Sequence, residues 1–145
     1  MAKADKEHLD RLGEVDLFKR CTKKDLEALA DIVDDVSAEA GDVICEQGRV
    51  ADGSFVVVEG EASVMVGDEI IGIVGPGESV GEMGLLDHLP RSATVTARTP
   101  MRLYRIDGDR FAKLLESSAI SRGLLEQLSL RIRDLEHGRG RTASY

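Results

Sequence analysis

At 145 residues, 42% hydrophobic and 32% charged, the chain has enough material for one domain with a real core and too little for two. Nineteen basic against 27 acidic residues leave a net charge of -8, which repels a phosphate backbone at long range and argues against non-specific nucleic-acid binding. No apolar run approaches the roughly 20 residues that span a bilayer, and the opening MAKADKEHLD lacks the apolar core of an export signal, so a cytoplasmic protein with no membrane segment is expected.

The first 35 residues read as helix in two pieces. Leu9 and Leu12 with Val15, Leu17 and Phe18 make one short apolar face. Thr22 has the character of an N-cap, with Asp25 in the capping-box position, and Leu26, Leu29, Ile32 and Val33 then recur at helical spacing up to Asp34 and Asp35. After Val36 the period changes. Gly41-Asp42 marks a turn, Val43 to Cys45 a short strand broken at Gly48, and Ser54 to Glu59 a strand too apolar to expose a whole face. Glu61 to Val66 alternates and passes through Gly67-Asp68 as a hairpin into Ile70, Ile71 and Ile73. Gly75-Pro76-Gly77 turns again, and Ser92 to Ala97 and Met101 to Ile106 are two more strands. Short strands with glycine at the corners indicate a barrel or jelly roll.

Helix returns in the last third. Asp107 or Asp109 caps a segment with Phe111, Leu114 and Leu115, and Ser117-Ser118 breaks it from a longer helix carrying Leu125, Leu128, Ile132 and Leu135. That spacing fits docking on the body or a homodimer seam, and two heptads do not separate the two. The tail 138–145, GRGRTASY, is expected to fray. Cys21 and Cys45 form no CxxC pair and read as reduced thiols. His8, His88 and His137 make no HxH or HExxH cluster, so neither a metal site nor a cofactor is expected.

The stretch from Gly77 to Thr96, GESVGEMGLLDHLPRSATVT, concentrates the chemistry. Gly81 lets a tight helix begin, and the first turn of a helix leaves amide N–H groups without intrahelical partners. Arg91 has a planar fork suited to two phosphate oxygens, and Ser92 adds a hydroxyl beside it. Glu82 tolerates an anionic neighbour only if a donor faces it, and a sugar hydroxyl is such a donor. An anion read by Arg91 and a hydroxyl read by Glu82 suggest a ribose phosphate. The plainer reading is that Glu82 and Arg91 pair with each other or bind local backbone.

Residues 81–94, GEMGLLDHLPRSAT, resemble the phosphate-binding cassette of the cyclic nucleotide-binding domain family, and the similarity extends over about residues 15–137. The resemblance implies a mainly β fold with flanking helices. It is an eight-stranded β-roll or jelly roll with N-terminal helices, a short helix in the cassette and two C-terminal helices, all in one domain: helices 1–35, roll 36–106, helices 107–137, tail 138–145. It further implies that Glu82 accepts from the ribose 2′-hydroxyl and that Arg91 pairs with the cyclic phosphate. The Gly84 N–H and the Ser92 hydroxyl would meet the same phosphate, Gly81 would open the cassette helix, Leu85 would line the ring, and Val64 would pack on the base. Val80 stands where the family often has an aromatic residue, and Gly84 where alanine is frequent. His88 is expected to face solvent.

Serine after the arginine is compatible with cAMP or cGMP, and cAMP is the expected ligand. In this family the C-terminal helices commonly close over the base, so Asp107 to His137 is the expected output element, with Leu135, Glu136 and Arg139 as candidate base caps. No helix-turn-helix, membrane span or kinase domain follows that helix, which suggests a stand-alone sensor acting on a protein partner in trans, or a nucleotide buffer. A degenerate domain kept for protein contacts is the alternative. An enzyme is not expected, because a cupin-like hydrolase needs clustered histidines.

Overall fold

The computed structural model describes residues 6–136. It begins with α1 (Lys6–Gly13), a single 3-10 turn (Asp16–Phe18) and α2 (Lys23–Ile32). Thr22 caps α2 through a full capping box: its Oγ1 accepts from the Asp25 N–H at 3.2 Å, and Asp25 Oδ2 accepts from the Thr22 N–H at 3.0 Å. Eight strands follow among the described residues: β1 (Asp34–Ala38), β2 (Val43–Cys45), β3 (Gly53–Glu59), β4 (Ala62–Val66), β5 (Glu69–Val74), β6 (Ser79–Val80), β7 (Thr94–Ala97) and β8 (Met101–Asp107). The helix α3 (Glu82–Asp87) interrupts them between β6 and β7, and α4 (Gly108–Leu114) and α5 (Ser118–Glu136) close the chain.

Two four-stranded antiparallel sheets, ordered β1-β8-β3-β6 and β2-β7-β4-β5, form the roll. The first sheet is covered on both faces. Phe55, Val57, Met101 and Leu103 point into the roll against Cys45, Val64, Val74 and Val95 of the second sheet. Val56, Val58, Tyr104 and Ile106 point the other way, into a core built with Leu12, Phe18, Leu29, Phe111, Ile120 and Leu124 of the helices. Double coverage is why β3 is a continuous apolar run rather than an alternating one. The second sheet has one covered face, and Val43, Ile70 and Ile73 are exposed on it.

Local deviations from the sequence reading have physical causes. Asp34 and Asp35 do not end α2; they open β1, paired with Arg105 and Tyr104 of β8. Asp35 is held there by Nε and Nη2 of Arg102, which donate to its carboxylate at 2.7 to 3.2 Å, and Nη2 also donates to Glu7 of α1 at 2.8 Å. Those contacts hold the Asp35 carboxyl below the usual carboxylate range, Arg102 being the main cause. β6 is only two residues long and leaves no period to read. The apolar face from Leu9 to Phe18 is split between α1 and the 3-10 turn.

The docking side of α5 is Ile120 and Leu124, both buried, with Leu128 packed beside them. Arg20, just after the 3-10 turn, pairs with Glu126 of the same helix. Leu125 and Ile132 are exposed on the far side. Residues 138–145 and Arg139 lie outside the described residues, as does the side chain of Leu135. No helix among the described residues is long and apolar enough to cross a membrane.

Candidate functional site

Gly81 ends β6 in the left-handed region, φ 88°, and serves as the N-cap of α3. A Cβ there would stand 2.6 Å from Arg91 Nη1, so glycine is required both by the backbone turn and by the close approach of that guanidinium. Glu82, the first residue of α3, is 0% exposed, and Arg91 is 8% exposed. Burying two ionisable side chains in one small region is costly unless their polar atoms are matched, which marks the region as specialised.

The main chain of Arg91 is pinned on both sides: its N–H donates to Arg49 O at 2.8 Å, and its carbonyl accepts from the Gly48 N–H at 2.9 Å. Its Nη2 donates to Gly53 O at 2.9 Å and lies 3.6 Å from Asp52 Oδ1. Nη1 is buried and has no hydrogen-bond partner among the described residues. The guanidinium is thus fixed in place by one nitrogen and left with donors on the other, an arrangement suited to accepting an anion with little reorganisation.

α3 is short, and its other end is also set by backbone geometry. His88 sits after it in the left-handed region, φ 58°, and is exposed. Gly84 lies against Ala51, where an added Cβ would be 2.7 Å from the Ala51 Cβ and 3.3 Å from Leu89 O. A groove of about 540 Å³ runs between α3, residues 50–52 and α4, with Leu85, Leu86, Phe111 and Leu115 on its walls.

The sequence-predicted residues therefore fall in distinct places. Gly81, Glu82 and Arg91 converge, with Gly84 one turn away. Ser92 follows Arg91 and is exposed. Leu85 packs with the helix-side core, near Gly108 of α4. Val64 is 0% exposed in the roll interior, in one cluster with Cys45, Val80 and Ala93. Cys45 feels the same charges: burial pushes its thiol up to about 11, Arg91 pulls it down, and Glu82 and Asp52 push it up. Asp52 and Gly53, which orient Arg91, were not singled out by any spacing in the sequence; an Asp-Gly pair by itself reads only as a turn. Among the described residues no group of three His, Cys, Asp or Glu side chains is placed to hold a metal ion.

A β-roll that carries a short helix with a buried carboxylate, followed by a loop and a buried arginine, defines a module for capturing a small anionic ligand. Comparison with known proteins gives that class its family. The chain belongs to the cyclic nucleotide-binding domain family, whose model matches residues 35–118, more than half of the sequence. An uncharacterized ABC transporter ATP-binding protein of Mycobacterium tuberculosis (strain CDC 1551 / Oshkosh) is 45% identical over 69 residues, 44% of this chain and 21% of that protein. The chain thus spans about a fifth of the length of that relative. Among solved structures, "cAMP bound PfPKA-R (141-441)" is similar with a TM-score of 0.80 at 25% identity, over 91% of this chain and 46% of that one. "Sp-2Cl-cAMPS bound to PKAR CBD2" is similar with a TM-score of 0.74 at 24% identity, over 92% of this chain and 86% of that one.

Proposed function

We propose that this domain binds cAMP in preference to cGMP and passes occupancy to a protein partner through α4 and α5. The carrying observation is Arg91: a buried guanidinium held by Gly53 O through Nη2 while Nη1 keeps its donors. A cyclic phosphate is a monoanion that such a fork meets without first breaking a hydrogen bond. Glu82 accepts from the ribose 2′-hydroxyl, the Gly84 N–H and the Ser92 hydroxyl meet the phosphate oxygens, and Leu85 and Val64 supply the apolar contacts. Preference for cAMP draws support from the similarity to a structure of cAMP bound PfPKA-R. The domain captures and releases its ligand without turning it over.

Transmission through the C-terminal helices draws support from their attachment to the cassette's own neighbour. The Gly108 N–H, at the start of α4, donates to Asp52 O at 2.9 Å, and Asp52 also faces Arg91. A ligand that shifts Arg91 acts on α4 through one residue, and differential contacts of this kind move a two-state element. A partner in trans, or a second copy, would meet the exposed side of α5 at Leu125 and Ile132.

Calorimetry tests this directly. Saturable heat with cAMP, weaker heat with cGMP and no turnover to the linear phosphate are expected. Truncating Arg91 to Ala weakens cAMP binding by about 30-fold or more, since losing one side of a buried charged contact costs about 2 kcal/mol or more. Arg91→Lys, which keeps the charge and loses the fork, falls between, and Arg98→Ala, at an exposed position, leaves affinity unchanged. No heat with either nucleotide at millimolar concentration sinks the proposal.

A further inference from the structure

Behind Arg91, Asp52 stands between two arginines. Its Oδ1 is 3.6 Å from Arg91 Nη2 and 3.6 Å from Arg105 Nη2. Its carbonyl oxygen accepts from Arg105 Nη2 at 3.2 Å, the same oxygen that takes the Gly108 N–H of α4. Arg105 Nη1 lies 3.9 Å from Asp107 Oδ1, and Asp107 is the N-cap of α4, accepting from the Asp109 N–H. The guanidinium of Arg105 covers Gly53, where an added Cβ would be 2.8 Å from Nη2, and Gly53 O is the acceptor that fixes Arg91. Four charged side chains, Arg91, Asp52, Arg105 and Asp107, therefore form one line from the cassette to the cap of the C-terminal helices.

We propose that Arg105 is a positioning residue for cyclic-nucleotide capture: by sharing Asp52 it keeps Arg91 net positive toward the phosphate and ties Arg91 to the first turn of α4. This rests on the reading of the pocket given above. The argument is one of charge. A single carboxylate facing Arg91 alone would offset its charge, whereas a carboxylate held between two guanidinium groups leaves one positive charge in excess. Asp107, 3.9 Å from Arg105 Nη1, offsets part of that excess, and what removal of Arg105 changes is the share of the Asp52 charge that falls on Arg91. Geometry adds to this, because Arg105 also holds the Asp52 carbonyl that receives the Gly108 N–H. When a phosphate draws on Arg91, Asp52 keeps a cationic partner and its hold on α4. The side chain of Asp52 is 82% exposed, so water screens these pairs and the effect on affinity is several-fold.

The test is a double-mutant cycle read by calorimetry with cAMP on the full chain. Arg105→Gln is expected to weaken binding by about threefold to tenfold. In an Asp52→Asn background the same change moves affinity by less than about twofold, because no carboxylate remains to be released onto Arg91. Arg105→Lys, which keeps the charge, stays close to wild type, and the Arg105→Gln effect shrinks between about 50 mM and about 500 mM salt. An unchanged affinity for Arg105→Gln, or an equal loss with and without Asp52, overturns the role of Arg105 and leaves the pocket intact. If the wild type itself binds no cyclic nucleotide, the pocket reading falls first and this proposal with it.

Discussion

Gly84 shows how one missing methyl group fits the cassette to its support. The family often carries alanine at this place, yet here an added Cβ would meet the Ala51 Cβ at 2.7 Å. Both sides of that contact are as small as they can be without a second change, so Gly84→Ala is expected to cost about 1–3 kcal/mol in a urea melt, the usual penalty of overpacking. Adding Ala51→Gly should recover most of it, since the severe contact is with the Ala51 Cβ and Leu89 O, at 3.3 Å, has to give by only a few tenths of an ångström; equal stability of Gly84→Ala and wild type would mean that the loop yields freely. Glu82 gives a prediction about the ligand instead. A hydrogen bond from the ribose 2′-hydroxyl to a buried carboxylate is worth about 1.5–3 kcal/mol, so wild type should prefer cAMP to its 2′-deoxy analogue by roughly 10-fold or more. Glu82→Gln keeps the shape and weakens that acceptor, and competition binding should then show the two ligands nearly equal. Glu82 and Arg91 were legible in the sequence because they sit in one contiguous motif. Asp52 and Arg105 were not, because the pairing of β3 with β8 brings Arg105 beside Asp52 while backbone bonds to Gly48 and Arg49 bring Arg91 to the same place, and no local spacing carries either.

Elements were legible where their period survived folding. The hairpin of β4 and β5 around Gly67-Asp68 was legible from its turn and from Ala62 and Val64, although a register shift between Val64 and Met65 breaks the period and leaves Val66 exposed, and β3 reads as doubly buried from its composition. Asp34 and Asp35, the first two residues of β1, read as a helix end because their strand state comes from Arg102 and β8 rather than from their own character. The C-terminal helix was ambiguous between docking and self-association; Ile120 and Leu124 dock on the body, and Leu125 and Ile132 are exposed. Leu124 is buried against the body, so Leu124→Ala should lower stability by about 2–4 kcal/mol through lost contacts and a cavity. Leu125 and Ile132 are exposed, and the double change to Glu should leave the monomer's stability within about 0.5 kcal/mol. Sedimentation of that variant reads the other face: if wild type sediments as a dimer and the variant as a monomer, α5 is the seam. A large destabilisation of the variant under monomeric conditions would contradict the assignment of faces.

At the scale of the whole molecule, the charge of the protein opposes the charge of its proposed ligand. A net charge of -8 repels a cyclic nucleotide at distances where the individual arginines are not yet felt, while Arg91, buried and fixed, attracts it at contact. Salt separates the two, because screening over about 10 Å at about 0.1 M removes the long-range part and acts far less on a buried contact. Raising salt from about 20 mM to about 300 mM should therefore increase the association rate of a fluorescent cAMP analogue in stopped flow and leave its dissociation rate nearly constant. Equilibrium stability should follow the same affinity. Ligand at about 100 times its dissociation constant adds about 2.7 kcal/mol to the native state, which for a chain of this size raises the melting temperature by several degrees. At one fixed ligand concentration that rise should be somewhat larger at the higher salt, after subtracting the ligand-free shift, and absent in Arg91→Ala. An association rate that instead falls with salt would mean that the cationic line from Arg91 to Arg105 governs the field outside the pocket as well as within it.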